Sequence, residues 1–134
     1  MRILIAYVAT ALVFLAGDMI WLGYVARDFY RNQMGELMAP NVSLTAAVAF
    51  YLIYIVGVVY FAVLPALNAG SWTTALVSGL MLGLIAYATY DLTNLATTRD
   101  WPAALAFADL AWGATLTAVA STAGFFITRA LTSN

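Results

Sequence analysis

The chain reads as an all-α integral membrane protein, a four-helix bundle with a short interfacial helix or loop between its first and second helices. Three observations predict this. Of 134 residues, 65% are hydrophobic and 8% charged, with a mean hydropathy of +0.94, which is more apolar surface than one small soluble core can hide. That surface falls into four runs, each long enough for a helix to cross roughly 30 Å of hydrocarbon, which takes about 20 residues; barrel strands would be shorter and would alternate. The joins between runs are too short to divide domains, so residues 1–134 form a single four-span transmembrane domain.

The first span covers residues 3–25. It is too long for a signal-peptide core, carries Asp18 and Trp21, and is not followed by a small-residue cleavage pattern, so it is read as retained. Arg27 to Met38 is charged but punctuated by aromatic and apolar residues. This is the interfacial segment, lying on the membrane with Phe29, Tyr30, Leu37 and Met38 dipping in, and Pro40 closes it. Asn41 or Ser43 can cap the second span, residues 44–64, which Pro65 stops. Asn68 to Ser71 make a tight turn. The third span, residues 72–96, carries Gly79 and Gly83 in a small-xxx-small pattern that lets a neighbouring helix approach closely. Arg99-Asp100-Trp101-Pro102 ends that helix and starts the fourth, residues 103–127, and a short polar tail follows. Trp72 and Trp101 suit an aromatic belt, and Arg2 and Arg129 suit end anchors.

Several function classes are excluded by composition. The net charge is -1, and the five basic residues are all arginine, so neither a nucleic-acid surface nor a polybasic lipid-binding tail is present. With no cysteine there is no disulfide and no thiol nucleophile. With no histidine either, soft and imidazole-preferring metals lack their customary ligands. Neither a metal nor a cofactor is expected.

Candidate functional residues centre on Tyr87 to Thr98. At helical spacing Tyr87, Asp91, Asn94 and Thr98 stack on one face, with Tyr90 and Thr97 beside them. A carboxylate in hydrocarbon costs several kcal/mol unless it is protonated, paired or wetted, so Asp91 reads as functional. Asp18-Met-Ile-Trp21 and Asp109-Leu-Ala-Trp112 share the spelling Asp-x-x-Trp, which sets acid and indole on one helical face. Counted along an up-and-down bundle, Asp18, Asp91 and Asp109 all lie roughly 10 to 12 Å in from one surface. Tyr51 and Tyr54 reach the same level, with Trp21, Trp112, Tyr87, Tyr90 and Asn94 within about a turn of it. Three acids facing lipid would be prohibitive, so the polar faces are expected to converge on a shared interior, with Arg27, Arg31 and Arg99 at its mouth. The bland alternative is that Asp91 or Asp109 bonds across helices to a Trp or Tyr and locks the bundle.

The run from Tyr87 to Thr97, with Arg99-x-Trp101-Pro102 and Asp109-Leu-Ala-Trp112-Gly113, resembles the bacterial family called domain of unknown function 2177. Asp18-x-x-Trp21-Leu-Gly, Asp28-Phe-Tyr-Arg31 and Pro65-Ala-Leu-x-Ala-Gly70-Ser-Trp72 extend the resemblance over nearly the whole chain. It implies a small multi-pass protein of the bacterial inner membrane with four helices, and leaves the function open.

Three functions compete. In the first, Asp18, Asp91 and Asp109 with Trp21, Tyr54, Tyr87, Tyr90, Asn94 and Trp112 bind or translocate a proton, a hard cation or a small polar or amphipathic ligand. The opposite half of the bundle has little polarity, so a continuous path would call for a homo-oligomer. In the second, the chain is a metal-independent enzyme acting on a lipid or isoprenoid, with carboxyls as general acid and base. In the third, it is a structural accessory subunit. Orientation is nearly a tie under the positive-inside rule, with a slight lean to both termini cytoplasmic.

Overall fold

The computed structural model describes residues 1–38 and 43–132. Its elements are α1 (Arg2–Ile20), a wide π turn (Trp21–Val25), α2 (Arg27–Met34), one 3-10 turn (Gly35–Leu37), α3 (Leu44–Val58), a second π turn (Val59–Val63), α4 (Leu64–Ala69), α5 (Trp72–Thr97) and α6 (Ala103–Thr132). Four continuous helices are long and apolar enough to cross a membrane: Arg2–Val25, Leu44–Ala69, Trp72–Thr97 and Ala103–Thr132.

The second span does not stop at Pro65. A proline inside a helix removes one backbone donor and presses its ring against the carbonyl one turn back. Here the turn before it is widened, with the Leu64 N–H donating to Val59 O five residues earlier, and the chain continues helically to Ala69. The helix then ends at Gly70, whose φ of 64° is left-handed and which any side chain would strain. Ser71 N donates to Ala66 O across that turn. At the other end the Ser43 hydroxyl accepts from Ala46 N at 3.3 Å and caps the span. Pro40 and Asn41, the other residues read as punctuation there, lie outside the described residues. The fourth span also runs past Ile127, to Thr132.

In a bilayer, apolar side chains gain nothing by leaving lipid for one another, so close packing at small residues has to hold the helices together. α6 is the axis of that packing, lying against both α5 and α1, and its buried face is built from Gly113, Ala114, Thr117, Ala118, Ala120, Ser121 and Gly124. Gly79 and Gly83 of α5 are where the two longest helices touch. A Cβ on Gly79 would stand 2.6 Å from Ser121 Oγ, and one on Gly83 would stand 2.5 Å from the Gly113 carbonyl. Phe14, Ile55, Val58, Val63 and Leu116 fill the remaining centre. The half of the bundle away from the acids carries more polarity than its spelling suggests, since Thr10, Thr117, Ser121 and Thr128 are all fully buried.

α3 stands apart from this. The second span meets α5 through its later half, the π turn and α4, so α3 and α5 diverge toward the end where the acids lie.

Candidate functional site

The two Asp-x-x-Trp segments meet crosswise. Trp21 and Trp112 stack face to face, with ring centroids 4.4 Å apart and planes 8° from parallel. Each indole serves the other helix's acid. Trp112 Nε1 donates to Asp18 Oδ1 at 3.1 Å. Trp21 Nε1 donates to the Tyr30 hydroxyl at 3.0 Å, and that hydroxyl donates to Asp109 Oδ1 at 2.7 Å. The Tyr51 hydroxyl donates to the second oxygen of Asp18, so both Asp18 oxygens are satisfied.

Tyr30 is the residue sequence reasoning misplaces. Its expected position was the lipid interface, beside Phe29. Instead α2 folds back so that the phenol reaches the acid layer and ties α1, α2 and α6 together. Burial holds this phenol well above its ordinary ionisation range. The Trp21 N–H works against that, while the hydrogen bond to Asp109 and the charges of Asp109 and Asp91 reinforce it. A signal was available: deep acids without a lysine or arginine in the core of any span need neutral donors, and a tyrosine on an adjoining amphipathic helix is one.

Asp91 is fully buried, and neither of its oxygens has a hydrogen-bonding partner among the described residues. Asp109 stands on the adjoining α6, which packs along α5, and its carboxyl offers Asp91 no donor of its own. Asp18 is engaged by Trp112 and Tyr51. Among the described residues no three acidic side chains come close enough to hold a metal ion together. What the sequence presents as one acidic layer is therefore a satisfied Asp18, an Asp109 held by Tyr30 and a buried Asp91 without a partner among the described residues.

Beside Asp109 lies a cleft of about 260 Å³ lined by Phe50, Ala86, Tyr87, Tyr90 and Asp109. It occupies the gap left where α3 and α5 diverge. Phe50 and Tyr90 are exposed on the bundle's flank, at 46% and 53%, so the cleft opens sideways. Trp101 meets Tyr90 edge-on at 5.5 Å, bracing the rim from the turn between α5 and α6. Tyr87 is fixed against the bare Cα of Gly113, whose space a Cβ would take from the ring.

The other expected residues fall elsewhere. Tyr54 shares a hydrogen bond with Thr117 Oγ1 at 2.8 Å and packs edge-on against Phe14, which makes it part of the core below the cleft. Asn94 is half-buried and outside the cleft lining. Thr93 and Thr97 are exposed and donate their hydroxyls back to carbonyls of their own helix, as threonine does where no outside partner is offered. Arg27, Arg31 and Arg99 are exposed at the same end of the bundle. Phe50 and Ala86, ordinary apolar residues in the sequence, join the lining only because the helices splay.

A family model described as a predicted membrane protein (DUF2177) matches residues 3–126. No curated protein and no solved structure matches the chain.

Proposed function

The chain belongs to the DUF2177 family of predicted membrane proteins, and we propose that it binds a small amphipathic molecule drawn from the bilayer. The head would reach Asp109 and the apolar part would lie between α3 and α5. The observation that carries this is the sideways cleft, lined by three aromatic residues and one acid, Asp109. A water-soluble ligand would call for an opening at the membrane surface, whereas this gap is flanked by exposed Phe50 and Tyr90. Apolar walls with a few convergent polar groups are the usual make-up of a small-molecule site.

In this reading the residues divide by task. Asp109, Tyr87 and Tyr90 contact the ligand, with Asp91 behind Asp109. Asp18, Trp21, Trp112 and Tyr51 hold the walls in place, and Tyr54 and Asn94 play no direct part. Asp18 is the acid for which a purely structural role is favoured, because both its oxygens are already engaged. The setting proposed is a bacterial cytoplasmic membrane.

The test is to fill the cleft without touching an acid. Wild type and Ala86→Trp, purified in a mild detergent, are compared by mass spectrometry of what co-purifies. The expected result is an amphipathic molecule enriched with wild type and depleted at least tenfold with Ala86→Trp. Equal recovery from both, or enrichment with neither, overturns the proposal.

A further inference from the structure

A tyrosine hydroxyl withdrawn from water normally finds a partner within the protein, because hydrocarbon offers none. Tyr7, Tyr30, Tyr51 and Tyr54 each do so, on Leu52 O, Asp109, Asp18 and Thr117. Tyr87 is different. Its ring is pinned against Gly113 and meets Tyr54 edge-on at 6.2 Å, yet among the described residues its hydroxyl has no hydrogen bond. The polar side-chain atoms sealed in the interior without a partner are Thr10 Oγ1, Thr128 Oγ1, Trp101 Nε1 and the two Asp91 oxygens. The Tyr87 hydroxyl is not one of them, so it is open to the surface.

Asp109 is in the same position. Its Oδ1 accepts from Tyr30 at 2.7 Å. Its Oδ2 has no partner among the described residues and is not among the sealed atoms either. Both residues are half-buried, and both line the cleft of about 260 Å³, which is the opening they have in common.

A carboxylate oxygen only accepts, whereas a phenol both donates and accepts. An ammonium head serves the acid but offers the phenol's hydrogen no acceptor. A phosphate or carboxylate head serves the phenol but sets like charge beside Asp109. Among the described residues no arginine lines the cleft to offset that charge, since Arg27, Arg31 and Arg99 are exposed at the end of the bundle. A hydroxyl serves both groups. We infer that the ligand is a neutral, single-chain lipid alcohol, whose O–H donates to Asp109 Oδ2 and whose oxygen accepts from Tyr87. Size agrees with this. The cleft is smaller than the roughly 300–1,000 Å³ of sites that enclose a whole drug-sized molecule, so it takes a small head and the first carbons of a chain, and the rest lies in the gap between α3 and α5. Tyr30 is then a positioning residue as well as a latch, because by occupying Oδ1 it leaves Oδ2 for the ligand. This rests on reading the cleft as a ligand site.

The full chain in lipid nanodiscs is irradiated with a dodecanol that carries a photoreactive diazirine along its chain, and labelled peptides are identified by mass spectrometry. Unlabelled competitors share the chain and differ in the head: dodecanol donates and accepts, methoxydodecane only accepts, dodecylammonium only donates, and dodecyl phosphate is an anion. The expected result is labelling of α3 and α5 that is lost in Ala86→Trp. Dodecanol is expected to compete better than each of the other three by about 3- to 20-fold at equal mole fraction in lipid, the worth of one hydrogen bond within a membrane. Tyr87→Phe, which keeps the ring, is expected to remove the advantage over dodecylammonium and to retain the one over methoxydodecane. The wild-type order of competitors decides the matter even if that variant fails to fold. Any other head equal to or ahead of dodecanol, or an unchanged order in Tyr87→Phe, overturns the lipid alcohol and leaves the cleft reading standing. Labelling absent from α3 and α5, or undiminished in Ala86→Trp, overturns both.

Discussion

Removing one oxygen at Tyr30 tests whether α2 is latched to the bundle. Tyr30→Phe leaves the ring but deletes the donor to Asp109 at 2.7 Å and the acceptor for Trp21 Nε1 at 3.0 Å. Hydrogen bonds between membrane helices average about 0.6 kcal/mol and reach about 1.7, while bonds to charged groups in proteins run about 1.5–3. Two lost bonds, one of them to a carboxyl, thus weaken the docking of α2 by about 1–3 kcal/mol. At about 1.4 kcal/mol per factor of ten, the opening equilibrium rises roughly 5- to 150-fold. Hydrogen exchange followed by mass spectrometry reads this directly: amides of Arg27–Met34 are expected to exchange faster by that factor in Tyr30→Phe, with α5 and α6 unchanged. Unaltered exchange in α2 would refute the latch and return Tyr30 to the membrane surface.

Other expectations follow from the same geometry. Gly113→Ala puts a methyl into the Tyr87 ring and is expected to cost about 1–3 kcal/mol in detergent unfolding, whereas Gly57→Ala, with no atom within 4 Å of the new Cβ, costs nothing measurable. A double-mutant cycle of Asp18→Asn with Trp112→Phe is expected to give a coupling of about 0.5–1.5 kcal/mol; a value near zero means that the bond at 3.1 Å is idle. Ser43→Ala removes the cap of the second span and raises exchange at Leu44–Ala46, in line with a cap worth about 1 kcal/mol. Because burial favours the neutral Tyr30 phenol, its contribution is complete below about pH 10, where a free phenol ionises, and is lost only as pH rises through its higher folded value. Opening of α2, after correction for intrinsic exchange, is therefore flat from pH 6 to 9; a rise within that window contradicts the shift.

The four spans are legible because hydrocarbon thickness sets their length and composition alone reveals them. Their ends are less so. Pro65 spells a stop, but a widened turn ahead of it costs little and the helix runs on to Ala69. Within the site, period and depth put Asp91 and Asp109 at one level, with Trp21 and Trp112 within about a turn of it. Those rules act within one helix or between helices of known direction. They give no information on Tyr30, whose place depends on α2 folding back, or on the cleft, which exists because α3 and α5 part. Nor can they separate Asp18 from the other acids, since depth says nothing of which donors arrive. The threonines of α5 mislead for a local reason: Thr93 and Thr97 satisfy themselves on their own helix.

The sideways opening also bears on how strongly anything must bind. A molecule loaded from within the membrane is present there at a concentration set by its partition coefficient, so even millimolar affinity at the site itself would give high occupancy at low aqueous dose. Saturation should then follow mole fraction in lipid, and diluting the protein into more bilayer should empty the site with the total amounts unchanged.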